Sequence, residues 1–158
     1  IVILLKVGSF SASRRIRMTD RVILNPIGVK NPTTKNMKYE IAKDIKKQID
    51  MLVPQFGFTH VDTKRIFCIR SFDAKTRAIA RIWGMAKLFH EVAGLPVSYI
   101  IEVNAKRFDK QSDRDKLKTL IHELMHIPKT FSGALLSHRG AHRAINDREV
   151  ERVLRDAR

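Results

Sequence analysis

The spacing of apolar residues gives the chain its clearest order. Ile41, Ile45, Ile49 and Leu52 recur at helical intervals between Lys38 and Leu52, with Lys and Asp between them and Pro54 just beyond. That spacing predicts an amphipathic helix lying on one face of a sheet. Val61 to Phe72 holds the β-type run Arg65-Ile-Phe-Cys-Ile-Arg70. Arg77 to Phe89, with Ile79, Ile82, Met85 and Leu88, suits either strand or helix. Its Trp83-Gly84 step favours a strand with a bulge or a close backbone approach. After a turn marked by Gly94 and Pro96, Val97 to Val103 is the strongest strand signal in the chain.

A second helical stripe follows. Leu117, Leu120, Ile121 and Leu124 obey the i, i+3, i+4, i+7 rule. Ser112 with Asp115 three residues on resembles a capping box, and Pro128 should stop the helix. A closing helix is predicted from Asn146 or Asp147 through Ala157. Val150, Val153 and Leu154 are its apolar residues, and Asp147 and Glu149 suit its positive end. At the other end, Arg21 to Ile27 reads as a short strand broken by Asn25-Pro26 and Gly28, and Lys30 to Asn36 as a loop. Residues 1–17 read as a dispensable extension before Met18, leaving 18–158 as a single domain. The elements predict an α+β fold: a small, mostly antiparallel sheet packed on the helix before Pro128, plus a C-terminal helix.

Composition narrows the setting. The 158 residues can bury a real core, and no segment approaches the 18 or more apolar residues of a membrane span. No membrane partner is expected. Cys68 is the single cysteine, so an intrachain disulfide is impossible and a reducing, cytoplasmic setting is expected. Its apolar neighbours make it a core residue rather than a nucleophile. Lys and Arg outnumber Asp and Glu by 31 to 16, a net charge of +15. Such charge makes nucleic acid a candidate partner. The cations are dispersed, with few aromatics among them, so no stacking platform is apparent.

The candidate chemistry lies on the second stripe's helix. Thr-Leu-Ile-His-Glu-Leu-Met-His-Ile-Pro, residues 119–128, contains His-Glu-x-x-His at His122, Glu123 and His126. Residues four apart share a helix face, so both imidazoles can reach one metal ion. At about 100° per residue they lie nearly opposite the core stripe. Glu123 is one step round the helix, where a carboxylate can take a proton without ligating the metal. A catalytic zinc needs a third protein ligand, and the downstream candidates are His138, His142, Glu149 and Glu151. His138 is preferred, because it comes first after a Gly-containing turn. His60 and His90 lie far upstream and read as surface or satisfied polar residues. No spacing identifies the residue that would stabilise an oxyanion, for which His142, Arg139 and Arg143 compete.

The order of a strand-rich segment, the Tyr-Ile-Ile-Glu-Val strand, a short charged connector, the Leu-Ile-His-Glu-Leu-Met-His-Ile-Pro helix and a downstream histidine resembles the small zincin metallopeptidases of the archaeal and phage type. More distantly it is similar to SprT-like proteases and minigluzincins. The resemblance covers about Lys38 to Arg158. It implies a zincin-like domain that binds Zn²⁺ and hydrolyses peptide or protein substrates, with Glu123 as general base toward a zinc-activated water. The SprT-like pattern points to His138 as third ligand, and the minigluzincin pattern to Glu149. Lys129 and Ser132 stand where a metzincin would have glycine and histidine, which argues against that group. In the zincin fold the strand before the metal helix borders the cleft, so Val97 to Val103 is expected to pair with an extended substrate. Two other classes remain open: a basic nucleic-acid-associated protein with a structural or vestigial metal site, and an interaction domain closed by four histidines. Oligomeric state is not legible.

Overall fold

The computed structural model describes residues 38–72, 74–138 and 145–156. Chain contacts divide the protein into Ile1–Thr33 and Thr34–Arg158, and the description concerns the second unit. The expected extension over 1–17, the strand at Arg21 to Ile27 and the loop from Lys30 to Asn36 lie outside the described residues.

Four strands form one sheet, β1 (Lys38–Ile41), β2 (Ile66–Phe72), β3 (Ala80–Gly84) and β4 (Tyr99–Asn104), in the order β1-β2-β4-β3. The central pair β2 and β4 is parallel, and both outer pairings are antiparallel. The sheet is thus mixed, with two of its three pairings antiparallel, because the chain passes through β3 before β4 returns between β2 and β3. Among the described residues five α-helices accompany it: α1 (Lys43–Gln55), α2 (Lys87–Ala93), α3 (Ala105–Phe108), α4 (Asp113–Met125) and α5 (Asp147–Asp156).

Strand alternation sends Ile66 and Cys68 of β2, Ile82 of β3, and Tyr99, Ile101 and Val103 of β4 to one face. There they bury against Ile45, Ile49 and Leu52 of α1 and Leu120, Ile121 and Leu124 of α4. The predicted stripes of both helices are therefore the core. Cys68 lies within it, and burial pushes its thiol up to about 12, as expected of a packing residue. Phe67, Trp83 and Ile100 occupy the opposite face and stay exposed.

The helix predicted from Lys38 begins only at Lys43, and the four residues before Ala42 are β1. Ile41, counted in the helical stripe, instead pairs with Ile69 across the sheet and is exposed. The span left open at Arg77 to Phe89 divides into β3 and the start of α2, and α2 ends at Gly94 in the left-handed region. Arg70 ties layers together, its guanidinium pairing with Asp44 of α1 at 3.0 Å and with Asp109 after α3 at 2.9 Å. The Asp44 carboxyl is held below the usual range chiefly by its hydrogen bond from Arg70.

Candidate metal centre

α4 starts as its sequence predicts. Ser112 Oγ accepts a hydrogen bond from the Asp115 amide at 3.2 Å and donates to the Asp115 carboxylate at 2.7 Å. The helix ends at Met125 with His126 as C-cap, two residues before Pro128. With Leu120, Ile121 and Leu124 fully buried, the opposite side of α4 carries His122 and His126 toward the sheet edge.

The chain beyond Pro128 then folds back. Tyr99, buried on β4, accepts a hydrogen bond from the Gly133 amide at 2.8 Å and donates to the Ala134 carbonyl at 3.1 Å. Phe131 stacks edge-on against the Tyr99 ring, with centroids 5.0 Å apart. Gly133, at φ 83°, rests directly on β3. A Cβ there would lie 2.2 Å from the Met85 carbonyl oxygen, and one on Gly84 would lie 2.1 Å from the Gly133 oxygen. The close approach suggested by Trp83-Gly84 is thus real, and it requires glycine on both sides.

This return brings His138 to the helix. One ring nitrogen from each of His122, His126 and His138 lies within 4.8 Å of the others, and the three could hold a metal ion. The His126 Nδ1–H donates to the Leu136 carbonyl at 2.6 Å, and Leu136 N–H donates to the His126 carbonyl at 2.8 Å. His138 Nδ1 meets the Ile145 carbonyl at 3.2 Å. Those contacts engage Nδ1 of both rings and leave Nε2 as the nitrogen with a free lone pair, the arrangement that suits a metal. Burial, followed by the neighbouring His126 and His138, depresses His122 to about 4, and burial also lowers His126. Both are therefore neutral near pH 7, as ligation requires.

Glu123 is buried beside them, and burial raises its carboxyl to about 7 against the opposing hydrogen bond from the Ile82 amide. Two open cavities meet at this residue. One of about 540 Å³ is lined by Arg77, Asp115, Lys118, His122, Asp147 and Glu151, and another of about 390 Å³ by Trp83, Leu135, Leu136, His126 and His138.

A family model described as "Putative phage metallopeptidase" matches residues 37–156. The chain belongs to this metallopeptidase family. Membership implies a metal cofactor and a peptide or protein substrate, which agrees with the histidine cluster. No curated protein and no solved structure gives a significant match. No described helix is long and apolar enough to cross a membrane.

Other candidates fall elsewhere. Glu149 sits in the first turn of α5 and pairs with Arg152 at 2.9 Å, and Glu151 pairs with Lys118 and Arg114. His142, Arg139 and Arg143 lie outside the described residues. His60 Nε2 meets the Ile127 carbonyl at 3.2 Å, a satisfied polar contact, and His90 lies on α2.

One expectation is corrected. The Val97 to Val103 segment does not border the cleft, because β4 lies between β2 and β3 with both edges paired. Among the described residues the edge strands are β1 and β3, and β3 is the one beside the histidine cluster. Asn104 N–H donates to the Ile79 carbonyl and Met85 N–H to the Ser98 carbonyl. Odd-numbered residues of this segment thus face β4, and Ala80, Ile82 and Gly84 turn their backbone groups outward. Tyr99, Gly133 and Leu136 were not singled out from sequence. Gly133 alone carried a signal, as a glycine in the turn after the motif.

Proposed function

We propose that this chain is a zinc-dependent peptidase of zincin type, with His122, His126 and His138 as metal ligands and Glu123 as general base. The observation that carries the reading is the convergence of three imidazole nitrogens within 4.8 Å beside a buried carboxylate. Three nitrogen ligands with a position left open are the donor set of a catalytic rather than a structural zinc. When bound, the ion supplies a Lewis acid that polarises the scissile carbonyl and acidifies the attacking water.

The protein residues do the rest. Glu123 accepts the water's proton and returns it to the leaving amine, a task suited to a carboxyl raised to about 7 by burial. The outward backbone of Ala80 and the outward carbonyl of Ile82, whose amide is held by Glu123, offer an extended substrate a strand to pair with, antiparallel being the more stable pairing. The return of a histidine after a loop favours the SprT-like ligand pattern over the minigluzincin one. We place the enzyme in the cytoplasm, where Cys68 stays a thiol.

Glu123→Gln tests this reading. It keeps size and hydrogen-bonding capacity but cannot take the proton, so about one zinc per chain should persist. Turnover of unfolded protein substrates should fall by at least about 10²- to 10⁴-fold. Undiminished cleavage by Glu123→Gln would remove Glu123 as the general base, whereas absence of cleavage by the zinc-loaded wild type would remove the peptidase reading and leave a basic, nucleic-acid-associated protein with a vestigial metal site as the better account. His138→Ala should lose most of the zinc, and equal zinc content in that variant would reassign the third ligand to His142 or Glu149.

A further inference from the structure

The cleft does not end at the metal centre. Beyond Ala80 the segment 76–79 passes from the polar cavity beside His122 into a further open cavity of about 560 Å³. Ala74, Thr76, Ile79 and Asn104 form part of its wall, and its charged residues are Lys75, Lys106, Arg107 and Lys110. No acid lines it. The Asp109 carboxylate next to Lys110 is engaged by Arg70. Among the described residues none of the four cations makes an ion pair, and all four are exposed.

The other two cavities differ in kind. Beside His122, Arg77 and Lys118 are outnumbered by Asp115, Asp147 and Glu151, and Lys118 is already paired with Glu151 at 2.5 Å. On the far side of the centre, exposed Trp83, Leu135 and Leu136 make a largely apolar wall, whose one cation, Arg81, hydrogen-bonds to Thr76. Among the described residues the cleft therefore grades from largely apolar, through net acidic, to cationic along β3 from Gly84 toward Ala80 and beyond.

We infer that the basic cavity formed by Lys75, Lys106, Arg107 and Lys110 binds acidic side chains of the substrate, roughly three to five residues C-terminal to the bond that is cut. The register follows from β3. Glu123 meets the edge at Ile82, and a strand advances about 3.3 Å per residue, so Ile79 at the cavity wall is about 10 Å from that point. A substrate antiparallel to β3 runs from the Gly84 end to the Ala80 end, which brings its C-terminal portion to the cations. The inference rests on the peptidase reading of the centre, with the cavity setting the substrate class.

Lys106→Glu combined with Lys110→Glu tests it, since both side chains are exposed and lie outside the centre. Peptides share one central sequence and carry Glu, Gln or Lys at the third to fifth positions after the bond, or Glu at the matching positions before it. The zinc-loaded full chain should cleave the downstream-Glu peptide with about tenfold higher kcat/KM than the Gln peptide at low salt, each exposed ion pair contributing a few-fold at most. The advantage should fade as salt screens it. The double variant should prefer the downstream-Lys peptide and cleave the Gln peptide as wild type does.

Fluorescence anisotropy of the same peptides gives a readout independent of turnover. Tighter binding of the downstream-Glu peptide, lost in the double variant, supports the cavity even if no peptide is cut, a result that would count against the peptidase reading alone. Equal binding of Glu and Gln peptides overturns the inference. Equal benefit from acids placed upstream overturns it too. Single-stranded DNA bound through the same two lysines, with peptides indifferent, would transfer the cavity to nucleic acid.

Discussion

The two halves of the candidate centre are positioned by different physics. His122, Glu123 and His126 are held by a regular helix whose other side is buried core. His138 is held by a segment without regular structure, kept in place by the Tyr99 hydroxyl, the backbone contact of Gly84 with Gly133, and the paired hydrogen bonds of Leu136 with His126. The helical half should fail only when the fold fails. The returning half can be released while sheet and helices persist, so metal affinity and global stability should be separable.

The largest effect is expected on the helical side. Leu120→Ala removes a fully buried side chain between α4 and the sheet, and should cost about 2–5 kcal/mol of stability measured by urea unfolding. Zinc affinity measured on the remaining folded fraction should change little. A large loss of affinity with little loss of stability would erase the distinction between the halves.

Gly133→Ala is the complementary break. A Cβ there meets the Met85 carbonyl oxygen at 2.2 Å, and φ of 83° disfavours any side chain, so the loop must leave β3. Zinc affinity, measured by competition with a chelator, should fall by at least about tenfold, the lower range for disturbing the support of a metal ligand. Stability of the metal-free protein should fall by roughly 1–3 kcal/mol, as overpacking costs. Unchanged zinc affinity would show that the loop does not hold His138.

The finest probe is Tyr99→Phe, which keeps the ring against Phe131 and removes only the hydroxyl. The Gly133 amide then loses its acceptor in a buried place, at a cost of about 1–3 kcal/mol unless water replaces it. Zinc should dissociate several-fold faster than from wild type. A variant that loses stability but keeps the wild-type dissociation rate would make Tyr99 a packing residue only.

How far each half was legible in the sequence follows the same division. A helix repeats every 3.6 residues whatever surrounds it, so the spacing of Leu117, Leu120, Ile121 and Leu124 was enough to separate the core side from the side bearing His122 and His126. Ser112 and Pro128 marked the ends for equally local reasons, a hydroxyl that can accept an amide and a ring that cannot continue the ladder. Cys68 was assignable to the core from its apolar neighbours alone. The stripe counted from Ile41 went astray because strand pairing with β2 outweighed the helical spacing of a single residue at the helix entrance.

Pairing partners are a different kind of fact. Val97 to Val103 carried the strongest strand signal because its β-branched and aromatic residues suit a pleated strand, but pairing on both edges places β4 inside the sheet and denies it the cleft. The weaker, ambiguous segment at Arg77 to Phe89 supplied the edge strand instead. Strand order depends on contacts between residues far apart in the chain, and local periodicity carries no information about them.

The amino-acid sequence by itself determined the α+β class, the helix that carries His122, Glu123 and His126, and the face it turns from the core, because each depends on interactions spanning a few residues. Only the tertiary structure decided that β3 is the edge strand beside the centre, that the largely apolar and cationic cavities lie on opposite sides of that centre, and that His138 comes back to within ligand distance of the helix. Those arrangements depend on a buried hydroxyl, two glycines without Cβ atoms and a backbone carbonyl meeting across the sheet, contacts that no sequence spacing encodes.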